Sequence, residues 1–345
     1  MNAPCADGQD LDIAATLSAF LAGRGFKTVR VSTLQRLTGG SSHDTWAFDL
    51  THGDEPHHET TRLVMRRNLG AASLDMSPDA EFRLLQWLHG KGIPVARPLL
   101  CAVEDSPFSA PIVISERLQG VDLRKAMGGA HARVDRAAAA ATLVALQARI
   151  HAVDLKDCPC GVFAAPSVAS PKGEIDRWTA SLLETGEGGA GPLARAAIEW
   201  LRSHIPASGE LVLVHGDFKA NNILWSDAGR PYVLDWELSH LSDPVEDLAW
   251  TMLWTSKDDL VSGMMTPSNY VAAYEAASGQ RVDPARLFFW QLFALVKLSA
   301  IMRSGSGTIA AKSLMSPSHA LYSRGVACLD AAMADYLLAT KGSAR

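Results

Sequence analysis

Residues 213–225 read LVHGDFKANNILW, and residues 233–250 read VLDWELSHLSDPVEDLAW. Apolar, strand-like runs flank a cluster made of His215, Asp217, Lys219, Asn221 and Asn222. A tight turn between buried strands needs little more than a Gly and an Asn, so this much polar chemistry implies a task beyond reversing the chain. Asp217 is followed five residues on by Asn222 and eighteen residues on by Asp235. A loop carboxylate near an amide and a second carboxylate suits two jobs. One is to accept a proton from a hydroxyl, and the other is to hold a hard cation through oxygen ligands.

Upstream of this stretch the pattern is that of a small antiparallel sheet. VRVSTLQRLTGGSSHDTWAFDL (29–50) reads as two strands joined by a Gly/Ser turn, and TRLVMRRNL (61–69) as a third. VARPLLCAVED and APIVISERLQG add two more. HGDEPHHET (52–60) is expected to be a polar loop with solvated histidines, and the segment around Leu11, Leu17 and Leu21 a surface helix. SPDAEFRLLQWLHGKG (77–92) carries a cap, apolar residues at helical spacing and a Gly stop. Beyond residue 122 helices dominate, among them DRAAAAATLVALQARIHAVD (135–154) with its Asp cap.

The bulk numbers narrow the function classes. The 345 residues are 48% hydrophobic and 20% charged, with a net charge of −5. That balance argues against binding nucleic acid or an anionic membrane through bulk charge. No unbroken apolar run reaches the roughly 18 residues of a membrane span, and the N-terminus lacks the basic region of a secretory leader. The five cysteines (Cys5, Cys101, Cys158, Cys160 and Cys328) are odd in number and scattered, so a cytoplasmic setting is expected. CPC at 158–160 has the wrong spacing for a zinc knuckle.

Taken together, HGDFKANNIL…VLDWELSHLSDPVEDLAW resembles the catalytic and metal-binding segments of the aminoglycoside phosphotransferase (choline kinase-like) family, and the same order of parts runs over about residues 30–300. The resemblance implies an α+β, two-lobed protein-kinase-like fold with a small antiparallel β lobe and a larger helical lobe. It places a nucleotide-binding β lobe at 1–114, an interlobe connection at 115–121 and a catalytic and substrate lobe at 122–345. It implies ATP and Mg²⁺, with Asp217 as catalytic base and with Asn222 and Asp235 as metal ligands. His215 would support the loop, and Asp247 would cap the helix beginning EDLAW and tie the loop down. LTGGSSHDTW (37–46) would cover the phosphates through Gly39, Gly40, Ser41 and Ser42.

Arg66 stands where related kinases place a phosphate-binding Lys, with Arg67 as its fallback and Glu81 as its partner. Val64 and Arg66 share a strand face because side chains alternate. The backbone from Glu116 to Leu118 would meet the adenine edge.

The spacing between motifs bears on the acceptor. Asp235 and Asp247 lie only 12 residues apart, too close for an activation segment and peptide platform, so the implied acceptor is a small-molecule hydroxyl. Neither GVFAAPSVASPKGEIDRW nor LFFWQLFALVKLSAIMRSGSG is acidic enough to trap a polycation; the second carries Lys297 and Arg303. LVMRR, VLDWELSHLSDPVEDLAW and YEAASGQRV resemble the branch of the family associated with acyl-CoA dehydrogenases. That branch points to a hydroxyacyl-CoA, with a Lys/Arg set holding the CoA phosphates. Aminoglycosides or amino alcohols are the alternative acceptors. A nucleotide-binding pseudokinase and a metal-dependent hydrolase using His215, Asp217 and Asp235 are the competing functions. RSGSGTIAAKS (303–313) reads as a mobile loop.

Overall fold

A computed structural model describes residues 8–37, 43–54, 57–68, 76–128, 134–163, 170–183, 191–207, 209–254, 258–312 and 317–342. The chain divides into two compact units, the first made of Met1–Val121, Asp157–Val162 and Ile223–Leu238, the second of the remainder. In chain order the first part holds α1 (Gly8–Gly23), β1 (Arg30–Leu37), β2 (His43–Asp54), β3 (His57–Asn68), α2 (Pro78–Gly90), β4 (Pro98–Ala102), β5 (Ile112–Glu116) and β6 (Gly120–Asp122). There follow α3 (Leu123–Met127), α4 (Arg136–His151), α5 (Pro171–Leu183), α6 (Pro192–Ser203), β7 (Val212–Val214), β8 (Ile223–Ser226) and β9 (Pro231–Val233). The chain continues through β10 (His240–Ser242), α7 (Pro244–Leu253), α8 (Pro267–Ser278), α9 (Pro284–Lys312) and α10 (Pro317–Gly342).

The first unit is built on an antiparallel sheet of order β1-β2-β3-β5-β4. Alternation along β3 sends Leu63 and Met65 into a core with Trp46, Phe48, Ile112 and Ile114. Leu17 and Leu21 complete that core, so α1 is a docked helix rather than one lying on the surface. Val64 and Arg66 take the other face. The expected polar loop at 52–60 is mostly strand: β2 and β3 stay in register to the pair Asp54↔His57, and His57 and His58 are exposed. The alternation signal fails there because both faces of the hairpin end are wet.

Residues 157–162 and 223–238 join this unit rather than the helical one, which differs from an uninterrupted boundary near 121. Lys91 pairs with Asp157 at 2.6 Å, and Arg83 donates to the Cys160 carbonyl at 2.6 Å. The Val233 N–H donates to Pro94 O at 2.8 Å, and the β8–β9 hairpin pairs with β6. That pairing requires a glycine at 120, where φ is +155° and a Cβ would lie 2.3 Å from the Trp225 carbonyl oxygen.

In the second unit, several helices start at side-chain caps, among them Asp135 for α4, Asp243 for α7 and Thr266 for α8. α9 packs against α5, α6, α7 and α10. Its span Pro284–Met302 is, by length and composition, apolar enough to cross a membrane, with mean hydropathy 1.4. Phe289, Trp290, Leu292 and Phe293 are buried inside the unit, however, so this composition marks a core helix. The expected loop at 303–313 is helical as far as Lys312; glycine and serine lower helix propensity without ending a helix that already has a long, packed start.

Candidate active site

β7 pairs antiparallel with β10, from Val214↔His240 to Val212↔Ser242, and delivers the chain into the loop at His215. Gly216 adopts φ +77°, a left-handed turn open to glycine, and the chain then coils through a short 3₁₀ turn at Ala220–Asn222. Both Asp217 oxygens are held from within this unit. Oδ1 accepts from Trp250 Nε1 at 2.8 Å; Oδ2 accepts from Asn222 Nδ2 at 2.8 Å and pairs with Lys219 Nζ at 2.8 Å. Asn222 Nδ2 also reaches the Asp217 carbonyl at 3.0 Å. With its amide nitrogen so used, Asn222 presents its carbonyl oxygen elsewhere. Asn221 is exposed.

Asp247 ties this loop to α7 and α4. Oδ1 accepts from Gly216 N at 2.9 Å and Oδ2 from His215 N at 3.3 Å, with His151 Nε2 at 3.1 Å and Gln147 Nε2 at 3.4 Å. Burial alone would raise its carboxyl pKa; the His151 hydrogen bond, the two imidazoles and the Gly216 N–H hold it well below the usual range. The cap of α7 is Asp243, not Asp247, because the helix begins at Pro244. His215 is fully buried, and its Nδ1 accepts from Asp217 N at 3.2 Å.

In the first unit, Arg66 of β3 meets Glu81 of α2 at 2.5 Å. Ser77 caps α2 and fixes where Glu81 emerges, and Glu81 is buried. Burial would lower the Arg66 pKa, but Glu81, then Asp235 and Glu237, raise it. One guanidinium therefore lies among three carboxylates. Asp235 follows β9 at φ +64°, a left-handed backbone that Asp tolerates better than most residues. Arg67 is committed to Asp44, which Arg36 and Trp46 also contact.

The Glu116 N–H is taken by Arg97 O at 2.9 Å, and its side chain accepts from Arg97 N at 2.9 Å. Gly39, Gly40, Ser41 and Ser42 lie outside the described residues. Lys297 is 1% exposed and so cannot serve a CoA phosphate. The side chain of Arg303 lies outside the described residues.

Trp250 and His151 belong to these arrangements without having been singled out in the sequence, and Lys219 and Lys297, though named there, carried no assigned contact to Asp217 or its loop. Trp250 and Thr251 were within reach, since i+3 and i+4 from Asp247 share its helix face; Thr251 Oγ1 donates to the Phe218 carbonyl at 3.0 Å. His151 and Lys297 lie roughly 65 and 80 positions from the loop in sequence, with no local signal.

Comparison with known proteins identifies the fold and the family. Acyl-CoA dehydrogenase family member 11 of Mus musculus is 28% identical over 247 residues, 70% of this chain and 30% of that protein; the chain thus spans less than a third of that relative. An aminoglycoside 3'-phosphotransferase of Streptomyces fradiae is 26% identical over 250 residues, 72% of this chain and 89% of that one. Among solved structures, a provisionally assigned aminoglycoside phosphotransferase of Ralstonia eutropha superimposes with a TM-score of 0.70 at 20% identity, covering 93% of this chain and 97% of its own. The choline kinase LicA of Streptococcus pneumoniae with AMP gives 0.60 at 17%, covering 96% and 100%. The fold is therefore the protein-kinase-like fold of these enzymes. Residues 33–290 match the phosphotransferase enzyme family, APH, and the chain belongs to it.

Proposed function

We propose that the chain is an ATP- and Mg²⁺-dependent O-phosphotransferase with Asp217 as the base. The observation that carries this reading is the fixed carboxylate of Asp217, each oxygen held by a donor from its own unit. A base so oriented takes the acceptor's hydroxyl proton as that oxygen bonds to the γ-phosphorus and the bridging bond to ADP breaks. Lys219, paired with Oδ2, keeps the carboxylate charge oriented. Arg66, braced by Glu81, would bind phosphate oxygens in a bidentate fork.

The donor chemistry fits Mg²⁺. Asn222 offers a carbonyl oxygen and Asp235 a carboxylate, both hard ligands, and the carboxylates around Arg66 leave negative charge that a divalent cation offsets. Held by such ligands, Mg²⁺ would neutralise charge on the transferring phosphates. For the nucleotide base, the Leu118 backbone is the place to meet adenine, since the Glu116 N–H is already used.

The acceptor we favour is a short hydroxyacyl-CoA, supported by the likeness to acyl-CoA dehydrogenase family members. The test is Mg²⁺-dependent ADP release by wild type and Asp217→Asn. The acceptor panel is 3- and 4-hydroxyacyl-CoAs, aminoglycosides and amino alcohols. Stimulation by the CoA esters is expected. Asp217→Asn should lose at least about a thousandfold in rate, roughly 4 kcal/mol of barrier, with MgATP affinity kept. Near wild-type turnover by the variant would overturn the base, and stimulation by aminoglycosides alone would overturn the acceptor class.

A further inference from the structure

Lys297 occupies the middle of α9 among Trp290, Phe293, Ala294, Val296 and Ala300, all buried. Taking an ammonium out of water costs several kcal/mol unless charge and hydrogen bonds offset it. A Leu or Met here would continue the apolar face at no such cost. The contacts of the ammonium are specific. Nζ donates to the Gly216 carbonyl at 3.0 Å and lies 3.7 Å from Glu246 Oε1. It sits over the Trp250 ring at 4.6 Å from the centroid, with the Trp178 ring at 5.5 Å.

Two of these contacts converge on Asp217. The Gly216–Asp217 peptide is held at both edges, its carbonyl by Lys297 and its N–H by His215 Nδ1. Trp250, under the same ammonium, donates its indole N–H to Asp217 Oδ1. One buried cation thus touches both the backbone that carries the carboxylate and the ring that aims it.

We propose that Lys297 is a positioning residue for phosphoryl transfer, acting on Asp217 through the Gly216 carbonyl and the Trp250 indole, with Glu246 as its counter-charge. The proposal rests on the reading of Asp217 as base. Glu246 is itself fixed, accepting from Ser242 Oγ at 2.5 Å and facing His240 Nε2 at 3.3 Å, while His240 faces Glu174 at 3.5 Å. Glu174, His240 and Glu246 have the mutual spacing of metal ligands. The Lys297 ammonium beside Glu246, and the Arg177 guanidinium 3.1 Å from Glu174, already supply the positive charge a cation would bring.

The experiment compares Lys297→Met, which keeps the buried volume, with wild type, Asp217→Asn and the double variant. It measures ADP release from MgATP with the acceptor panel above. It also follows the Trp250 indole N–H resonance in ¹⁵N-tryptophan spectra, assigned with Trp250→Phe. Lys297→Met is expected to lower kcat roughly tenfold or more while KM for MgATP stays within about twofold. It should shift the Trp250 resonance and add no further loss in the Asp217→Asn background. If Lys297→Met does not fold, Lys297→Gln, which keeps a donor for Gly216 but removes the charge over the ring, carries the same readouts.

An unmoved resonance, an unchanged kcat, or an equal loss with and without Asp217 overturns the role of Lys297 alone. Wild-type protein that releases no ADP with any acceptor overturns the phosphotransferase reading, and this proposal with it.

Discussion

Groups from α7 and α9, backed by α4, join loop residues in converging on His215, Gly216 and Asp217, so that the peptide planes and both Asp217 carboxylate oxygens are each held by a named partner. Arg66 and Glu81 meet instead as one strand residue and one helix residue, and the Arg66 side chain remains 24% exposed. The first arrangement is neutralised and closed, with donors matched to acceptors in a buried setting. The second carries more carboxylates than cations and retains access to solvent. The difference matches what the proposed chemistry asks of each. A base gains from being immobile before the substrate arrives. A phosphate-binding cation must be able to exchange partners.

The sharpest way to break this contrast is Asp247→Ala. It strands the His215 and Gly216 N–H groups and the buried His151 and Gln147 donors. The expected cost is about 3–5 kcal/mol, read from urea unfolding. A change under about 1 kcal/mol would mean that the loop is not held as described. Arg66→Met should do the reverse, leaving the unfolding midpoint nearly unmoved while weakening MgATP binding about 10- to 100-fold, some 1.4–2.8 kcal/mol. Calorimetric titration measures this, with Arg66→Lys expected to recover most of the affinity. An unaltered dissociation constant would move the phosphate contact away from Arg66.

The smallest effect is one of pH. Burial would lower the His240 pKa, but Glu174 and Glu246 raise it above the ordinary value. The folded chain therefore keeps a proton that the unfolded chain releases above about pH 6.5. This contribution is complete below that pH and is lost as pH rises through the folded value, with a slope of at most about 1.4 kcal/mol per unit. Asp247 has the opposite sign: its stabilisation holds above about pH 3.9 and falls away in acid. Urea midpoints between pH 6 and 9 should decline in wild type and flatten in His240→Gln. Equal slopes in the two proteins would remove His240 from the account.

Much of this was legible from local pattern. Asp217 and Asn222 stand together in one loop, Ser77 announces α2, and the alternation of Val64 and Arg66 with Leu63 and Met65 assigns the faces of β3. What escaped lies where meaning comes from distant packing. Lys297 sits in a run of apolar residues and reads in the sequence as a substrate-side cation, part of a Lys/Arg set for the acceptor's phosphates. Only the fold shows that Gly216 O and Trp250 surround it. Trp250 passes for core because its ring is core, and its one polar atom is the part that matters. His151 acts through Asp247, and the pairing exists only once α4 and α7 are side by side.

The return of residues 223–238 to the first unit has a consequence for how the protein is made. When residue 121 leaves the ribosome, β6 still lacks the β8–β9 hairpin it pairs with, and Pro94 O lacks the Val233 N–H. Those partners are more than a hundred residues away, roughly 6–20 s of synthesis at about 5–20 residues per second. Through that interval the five-stranded sheet of β1 to β5 can form, but the separate three-stranded sheet of β6, β8 and β9 cannot. The N-terminal unit is thus begun first and completed only after the Asp217 loop has been translated.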